Sequence, residues 1–145
     1  MKLSLEDITA DNYEAVCDLG LAKTQEEYLA CNMSSLVEAH YNSGYTCKVI
    51  NLNSTPVDFF MWVQETPTKV SIWRFMVDQT YQNKGIGRKA LGMAIEQIKT
   101  TPGLCEIEIC YNPSNSIAKD FYTSFGFKEV GLDEDDMLAI IKISS

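Results

Sequence analysis

Apolar and polar residues alternate from Lys2 to Ile8, with Leu3, Leu5 and Ile8 as the apolar set, which predicts a first strand. Thr9 or Asp11 then offers a cap for a helix carrying Tyr13, Val16, Cys17 and Leu19, ended by Gly20. Thr24-Gln25-Glu26-Glu27 has the form of a capping box. Tyr28, Leu29, Met33, Leu36 and Val37 follow it at helical spacing until Asn42-Ser43-Gly44. Three strands come next, Tyr45–Asn51, Val57–Gln64 and Lys69–Asp78. The turns Asn51–Pro56 and Glu65–Thr68 between them are short enough for an antiparallel meander. A helix is predicted over Arg88–Lys99, a strand over Leu104–Tyr111, and a helix over Asn115–Phe125 stopped by Gly126. A crossover of that length sets Leu104–Tyr111 parallel to Lys69–Asp78. Phe127–Leu132 and Met137–Ile143 close the chain as a pair of strands joined through the acidic turn Asp133-Glu134-Asp135-Asp136. The order predicts one α+β domain over residues 1–145, a mixed, mostly antiparallel sheet flanked by about four helices.

The chemistry concentrates where the Lys69–Asp78 strand passes into the next helix. Gln82-Asn83-Lys84-Gly85-Ile86-Gly87-Arg88-Lys89 reads as a glycine-containing turn that opens a helix. A helix start leaves backbone N–H groups without internal partners, and the helix dipole adds partial positive charge there. Glycines remove the Cβ atoms that would keep a ligand away from those amides. Lys84, Arg88 and Lys89 add formal charge, so the turn suits a phosphate or pyrophosphate.

Composition narrows the class. No apolar run approaches the length that spans a bilayer, and the amino terminus turns acidic at Glu6-Asp7 with no signal-like apolar core, so a soluble, cytoplasmic protein is expected. The five cysteines form no CxxC pair and are odd in number, which argues against a disulfide framework or zinc site and for reduced, mostly buried thiols. The single histidine, His40, reads as a surface residue at a helix end, and no metal is expected. With 20 acidic against 12 basic residues the net charge is −8, which repels nucleic acid and anionic membranes; taken alone it reads as ordinary solubility, with a cationic small molecule as partner the sharper alternative.

Gln82-x-x-Gly85-x-Gly87 after a strand, followed by Asn115 and by Phe121-Tyr122-x-x-x-Gly126-Phe127, resembles the GNAT superfamily of acetyl-CoA-dependent N-acetyltransferases over essentially the whole chain. Ile72-Trp73-Arg74-Phe75-Met76-Val77-Asp78, the compact length and the acidic balance are similar to the bacterial spermine/spermidine (diamine) acetyltransferases. The resemblance implies acetyl-CoA as cosubstrate and a primary amine, such as spermidine or spermine, as acceptor. It further implies that the amides from Asn83 through Lys89 hold the pyrophosphate. The preceding strand would splay from its neighbour, offering the amides of Met76, Val77 and Asp78 to the pantetheine arm and the acetyl carbonyl. Asn115 matches the family asparagine at that arm, and Tyr122 matches the tyrosine that protonates the leaving sulfur. Phe121, Phe125 and Phe127 read as core.

Transfer to an amine also needs a base, since an alkyl ammonium has a pKa near ~10. Some relatives carry a glutamate where this chain has Ser71, so a carboxylate acting through a water chain is expected instead. Glu27, Glu38, Asp58 and Glu65 are the candidate acceptor acids, with Trp62, Trp73, Tyr28 and Tyr41 as candidate cation–π partners. Two other functions stay open: the same chemistry on a protein N-terminus, lysine or another small amine, and an acyl-CoA sensor without turnover. Edge strands and the terminal hairpin leave a homodimer open as well.

Overall fold

The structure, a computed structural model, describes residues 2–19, 32–77 and 85–143. Its elements are β1 (Leu3–Asp7), α1 (Tyr13–Cys17), α2 (Asn32–Tyr41), β2 (Tyr45–Leu52), β3 (Thr55–Thr66), β4 (Lys69–Val77), α3 (Ile86–Ile98), β5 (Glu106–Tyr111), α4 (Ser116–Phe125), β6 (Lys128–Asp133) and β7 (Asp136–Lys142). The seven strands form one sheet in the order β1-β2-β3-β4-β5-β7-β6. β4 and β5 run parallel, joined by the α3 crossover, and every other neighbouring pair is antiparallel.

Each face of the sheet buries its own helices. On one face α3 presents Ile86, Ala90, Leu91, Ala94, Ile95 and Ile98, a single stripe at helical spacing, to Ile50, Phe60, Trp62, Val70, Ile72, Ile107 and Ile109. On the other face Val16 of α1 and Leu36 and Ala39 of α2 cover Val49, Phe59, Met61 and Met76. The alternation of β3 beyond its bulge, with Phe60 and Trp62 to one side and Phe59 and Met61 to the other, makes it the two-sided centre of the core.

Several boundaries differ from the sequence expectation. The β2–β3 turn is two residues, not six. Asn53 and Ser54 both take positive φ (51° and 79°), the geometry that lets a tight hairpin match strand twist, and Pro56 therefore lies inside β3 opposite Asn51, beside a bulge. Neither Thr9 nor Asp11 caps α1. Asn12 precedes that helix, and its side chain turns back to accept from the Thr9 amide (2.7 Å) and donate to the Asp7 carbonyl (2.9 Å). α3 begins at Ile86 rather than Arg88. Thiols are less buried than composition suggests: among the described residues Cys105 and Cys110 are exposed and Cys17 and Cys47 half-buried. The Thr24 capping box, Glu27 and Tyr28 lie outside the described residues, as do Asp78, Gln82, Asn83 and Lys84.

Candidate active site

A bulge in β4 creates the site. Met61 pairs with Arg74 and Trp62 with Ile72, so Trp73 has no partner on β3. One extra residue reverses the facing of everything after it and bends the strand. Val70 and Ile72 face α3 before the bulge; beyond it Phe75 packs against the α3-face core, while Met76 joins the cluster under α1 and α2. Pairing with β5 ends at the same place, since the last rung is Ile72–Ile109. From Trp73 to Val77, β4 keeps its β3 neighbour but has no strand on its other side. The backbone groups turned to that side form an open edge, a source of hydrogen bonds for an extended ligand.

Aromatic rings close one face of this wedge. Phe60 stacks on Phe75 (4.6 Å between centroids), Phe75 on Phe121 (5.9 Å), Phe121 meets Tyr122 edge-on (5.4 Å), and Tyr122 stacks on Tyr111 (5.8 Å). The chain of rings runs from β4 through α4 to β5, so α4 fills the gap the splayed strands leave. α4 is fixed at both ends: Asn115 Oδ1 accepts from the Ala118 amide (3.1 Å), and Gly126 takes the left-handed conformation (φ 103°) that stops it. Burial first, and then the charges of Cys110, Asp58 and Tyr111, push the Tyr122 phenol well above its ordinary pKa. It is therefore a protonated phenol at neutral pH. The Tyr111 hydroxyl donates to Glu129 (2.8 Å); burial, that bond and the Glu129 charge push it up to about 12.

The start of α3 stands at the other end of the open edge. Gly85 is its N-cap, in the left-handed region at φ 78°, with no side-chain cap on the amides that follow. A Cβ placed there would meet nothing within 4 Å, so the glycine serves backbone conformation and not internal packing. The first-turn amides are those of Ile86, Gly87 and Arg88; the Lys89 amide is already bonded to the Gly85 carbonyl (3.4 Å), which corrects its inclusion among the free donors. The Ile86 side chain is core. The Arg88 guanidinium lies over the rings of Phe125 (4.6 Å) and Phe121 (5.9 Å) and donates to Ser124 Oγ, tying α3 to α4. Lys89 lines a groove against Leu3 and Leu5 of β1.

The opposite face of the wedge is acidic. Ser71 Oγ bonds to Glu65 and lies 3.3 Å from Glu108, and Lys69 Nζ stands 3.2 Å from Glu108 and 3.7 Å from Glu65. Burial works to lower the Lys69 pKa, but its bond to Glu108 and the charges of Glu108, Glu65 and Glu106 outweigh it and raise it. Alongside, the Tyr45 and Trp73 rings meet edge-on (5.4 Å), and the Tyr45 hydroxyl reaches Glu38 of α2 (3.4 Å). Burial, then Glu38 and Glu65, raise the Tyr45 pKa. Desolvation of its thiol, then Asp136, Glu108, Asp133 and Glu65, push Cys110 up to about 11. The Glu65 charge thus bears, as the smallest contribution, on both Tyr45 and Cys110.

Among the candidate acceptor residues, the structure brings Glu38, Glu65 and Trp73 onto this face. Asp58 and Trp62 lie on the other side of the sheet, fully buried and 7% exposed, because they share the facing of Phe60. Tyr41 is exposed at the end of α2, with the exposed His40 edge-on to it (4.9 Å). Sequence reasoning missed Glu108, Lys69 and Tyr45. The alternation Glu106-Ile107-Glu108-Ile109 did place both glutamates on one face, but their meeting with Ser71 depends on the parallel register Ser71–Glu108.

Residues 5–127 match the Acetyltransferase (GNAT) family. Among curated proteins, the spermine/spermidine N(1)-acetyltransferase of Bacillus subtilis (strain 168) is 26% identical, across 88% of this chain and 89% of its own length. Among solved structures, the spermidine N-acetyltransferase from Vibrio cholerae in complex with CoA and spermine superposes with a TM-score of 0.78 at 16% identity, covering 97% of this chain and 95% of that one. The ribosomal-protein-S18-alanine N-acetyltransferase from Escherichia coli superposes with a TM-score of 0.77 at 16% identity, covering 99% and 96%. A polyamine enzyme and a protein-modifying one therefore share the fold to the same degree, and the fold alone does not choose an acceptor. The family match spans most of the chain, including the splayed β4, the glycine-capped α3 and Tyr122: the chain belongs to the acetyltransferase (GNAT) family and is an acetyl-CoA-dependent N-acetyltransferase.

Proposed function

We propose that the acceptor is a small cationic amine, a diamine or polyamine such as spermidine or spermine. The observation that carries this is the face built from Glu38, Glu65 and Glu108 with Tyr45 and Trp73 beside the open edge of β4. Among the described residues Lys69 is the amine paired with Glu65 and Glu108, so several carboxylates leave negative charge for an incoming polycation, and half-exposed rings add cation–π contact. A protein N-terminus would be held chiefly by main-chain contacts and has less use for such a face.

Acetyl-CoA supplies the acyl group as a thioester. The donor set fits it: uncapped amides of Ile86, Gly87 and Arg88 behind Gly85 suit the pyrophosphate, and Gln82, Asn83 and Lys84, outside the described residues, precede them in the chain. The β4 edge at Met76 and Val77 suits the extended arm, with Asp78, outside the described residues, next in the chain and a β4 amide for the carbonyl where negative charge develops. The oxygen of Asn115 is committed to its cap, so contact with the arm falls to its amide nitrogen. The Glu65–Ser71–Glu108 group draws the proton from the acceptor ammonium, and Tyr122 gives its hydroxyl proton to the departing sulfur. A phenol with a raised pKa is a poor acid toward water but is reliably protonated when the thiolate forms.

Release of free thiol from acetyl-CoA with spermidine tests the reading, beside a monoamine and a peptide amine. Glu65→Gln should raise KM for spermidine several-fold more than for the monoamine and leave KM for acetyl-CoA alone. Tyr122→Phe should lower kcat by about 10²-fold or more while CoA affinity stays within a few-fold. Silence across all polyamines, with turnover on the peptide, would overturn the acceptor assignment.

A further inference from the structure

Two carboxylates of the acceptor face already hold an ammonium, and it belongs to the chain itself. Lys69 opens β4, and Glu65 lies across the hairpin near the end of β3, with Lys69 Nζ 3.7 Å from its carboxylate. The parallel register brings the second acid: Glu108 stands opposite Ser71, and its carboxylate is 3.2 Å from the same Nζ. Ser71 Oγ bonds to Glu65 and lies 3.3 Å from Glu108, which ties the two acids together around the amine. The Glu108 side chain keeps only 12% of its surface exposed and that of Lys69 24%, so solvent screens this group less than a surface ion pair. Burial works against the Lys69 charge, but the bond to Glu108 and the charges of Glu108, Glu65 and Glu106 outweigh it, so the amine is an ammonium through neutral pH. Glu106 has its own partner in Lys142 (2.9 Å), and Glu38 meets the Tyr45 hydroxyl, not a cation, among the described residues.

We propose that Lys69 is a specificity-determining residue that sets which amine charge the acceptor site prefers. Its ammonium offsets part of the negative charge of the Glu38–Glu65–Glu108 face and so limits the preference for more highly charged amines. This rests on the acceptor being a small cationic amine held on that face. The attacking nitrogen must be neutral, while the others stay protonated at neutral pH. A monoamine therefore brings no further charge, a diamine one, spermidine two and spermine three. The acids attract each remaining ammonium, and Lys69 repels it. Three carboxylates against one ammonium leave a balance that spermidine matches and spermine exceeds. Removing the Lys69 charge should thus help every polyamine, and help most the one with most charge. A purely structural ion pair would behave otherwise, since its loss would change Tm and act on all amines alike.

The test compares kcat/KM for propylamine, putrescine, spermidine and spermine at saturating acetyl-CoA. Lys69→Met keeps the length of the side chain and removes its charge. The spermine-to-propylamine ratio should rise about tenfold and the putrescine-to-propylamine ratio about twofold at low ionic strength. Salt at about 0.5 M should erase most of the gain. Ratios cancel any effect of the substitution on the base or on acetyl-CoA, because all four amines share both. Lys69→Arg should keep the wild-type ratios. Unchanged ratios in Lys69→Met, or equal shifts in Lys69→Met and Lys69→Arg, overturn the assignment while the acceptor reading stands. Wild-type enzyme silent on all polyamines but active on a peptide amine would remove the acceptor reading and this proposal with it. Should Lys69→Met fail to fold, Lys69→Gln repeats the comparison; failure of both means that the charge serves the fold, and the proposal falls.

Discussion

Alanine at two glycines of α3 should act in opposite directions. Gly85 caps the helix at φ 78°, while Gly92 lies within it at no such angle, and a Cβ at either would meet nothing within 4 Å. Steric clash is therefore absent at both, and the difference isolates backbone conformation. An L-residue held left-handed costs about 1–2 kcal/mol. The smaller entropy of the unfolded alanine chain returns about 0.4–1 kcal/mol. Gly85→Ala should thus destabilise by roughly 0.5–1 kcal/mol. Gly92→Ala gains the helix propensity difference with no penalty, a stabilisation of up to about 1 kcal/mol. For a chain of this length each kcal/mol moves Tm by about 2–4 °C, so Gly85→Ala should melt lower than wild type and Gly92→Ala higher. Urea unfolding should show the same through the midpoint, with m unchanged. Calorimetry with CoA supplies the functional half. The space beside Gly85 is open in the protein, so any loss of affinity there reports the ligand, and Gly85→Ala should weaken CoA by about tenfold while Gly92→Ala leaves it alone. A Gly85→Ala protein as stable as Gly92→Ala would mean that residue 85 is not left-handed. The uncapped first turn, and the anion site built on it, would fall with that result.

Two further outcomes follow from buried polar groups. Asn32 Oδ1 accepts from Arg74 Nε (3.3 Å) and Nη2 (3.1 Å), and Asn32 Nδ2 donates to the Val16 carbonyl (2.8 Å), all inside the fold. Asn32→Ala should cost about 2–3 kcal/mol in urea unfolding, whereas exposed Asn42→Ala, which loses one bond to the Glu38 carbonyl, should cost under about 0.5 kcal/mol; equal costs would refute the buried network. Asp58 predicts a pH dependence. Its folded-state pKa lies above its unfolded value, so the native protein binds the extra proton and stability falls as pH rises from near 4 toward the folded value. The stability advantage of Asp58→Asn over wild type should therefore widen between pH 4 and 8, measured by urea midpoints; an advantage flat with pH would show that the carboxyl titrates normally.

Much of this architecture is local in origin, and local signals are what a sequence carries. Asn115 and Gly126 bound α4 through a cap and a left-handed stop that involve a few residues each, and the parallel pairing of β4 with β5 follows from the length of the α3 crossover. The phase of β4 is different. Val70 to Met76 carries apolar residues at both parities, Val70, Ile72 and Met76 against Trp73 and Phe75, so neither facing is fixed by the pattern, and nothing in it marks Trp73 as the bulged residue. That one residue decides that Phe75 joins the ring chain and that Met76 goes to the opposite core. Charge was equally unreadable at the residue level. Arg88 and Lys89 are adjacent in the turn that suits a phosphate, but the helix begins two residues before Arg88, which points one side chain at α4 and the other at β1. Asp58 looked like a strand carboxylate of the same kind as Glu65, because alternation gives a facing only after the hairpin register is known.

The bulge also explains how one strand can serve two incompatible environments. Giving a proton to sulfur, the part proposed for Tyr122, is favoured in a dry, aromatic surround that keeps the phenol un-ionised, and Tyr122 lies in one between Tyr111 and Phe121. Taking a proton from an ammonium, the part proposed for Glu65 and Glu108, needs the reverse, carboxylates that hold positive charge, and these two stand beside Ser71 with Glu65 near solvent and Glu108 half-buried. Mixed on one face, the carboxylates would oppose charge on the phenol, and the rings would desolvate the acids until they protonated. Placed on opposite faces of β4, they are shielded by a sheet one strand thick and meet only where that sheet is open, past the Ile72–Ile109 rung. The opening is therefore the place where an acyl group can be reached by both, and its width is set by the point at which β4 stops pairing with β5. A deletion that removes the Trp73 bulge would restore strand phase, carry the pairing further and close the opening. The protein should then gain stability and lose CoA binding together, a coupling that differential scanning calorimetry and CoA titration read on one sample.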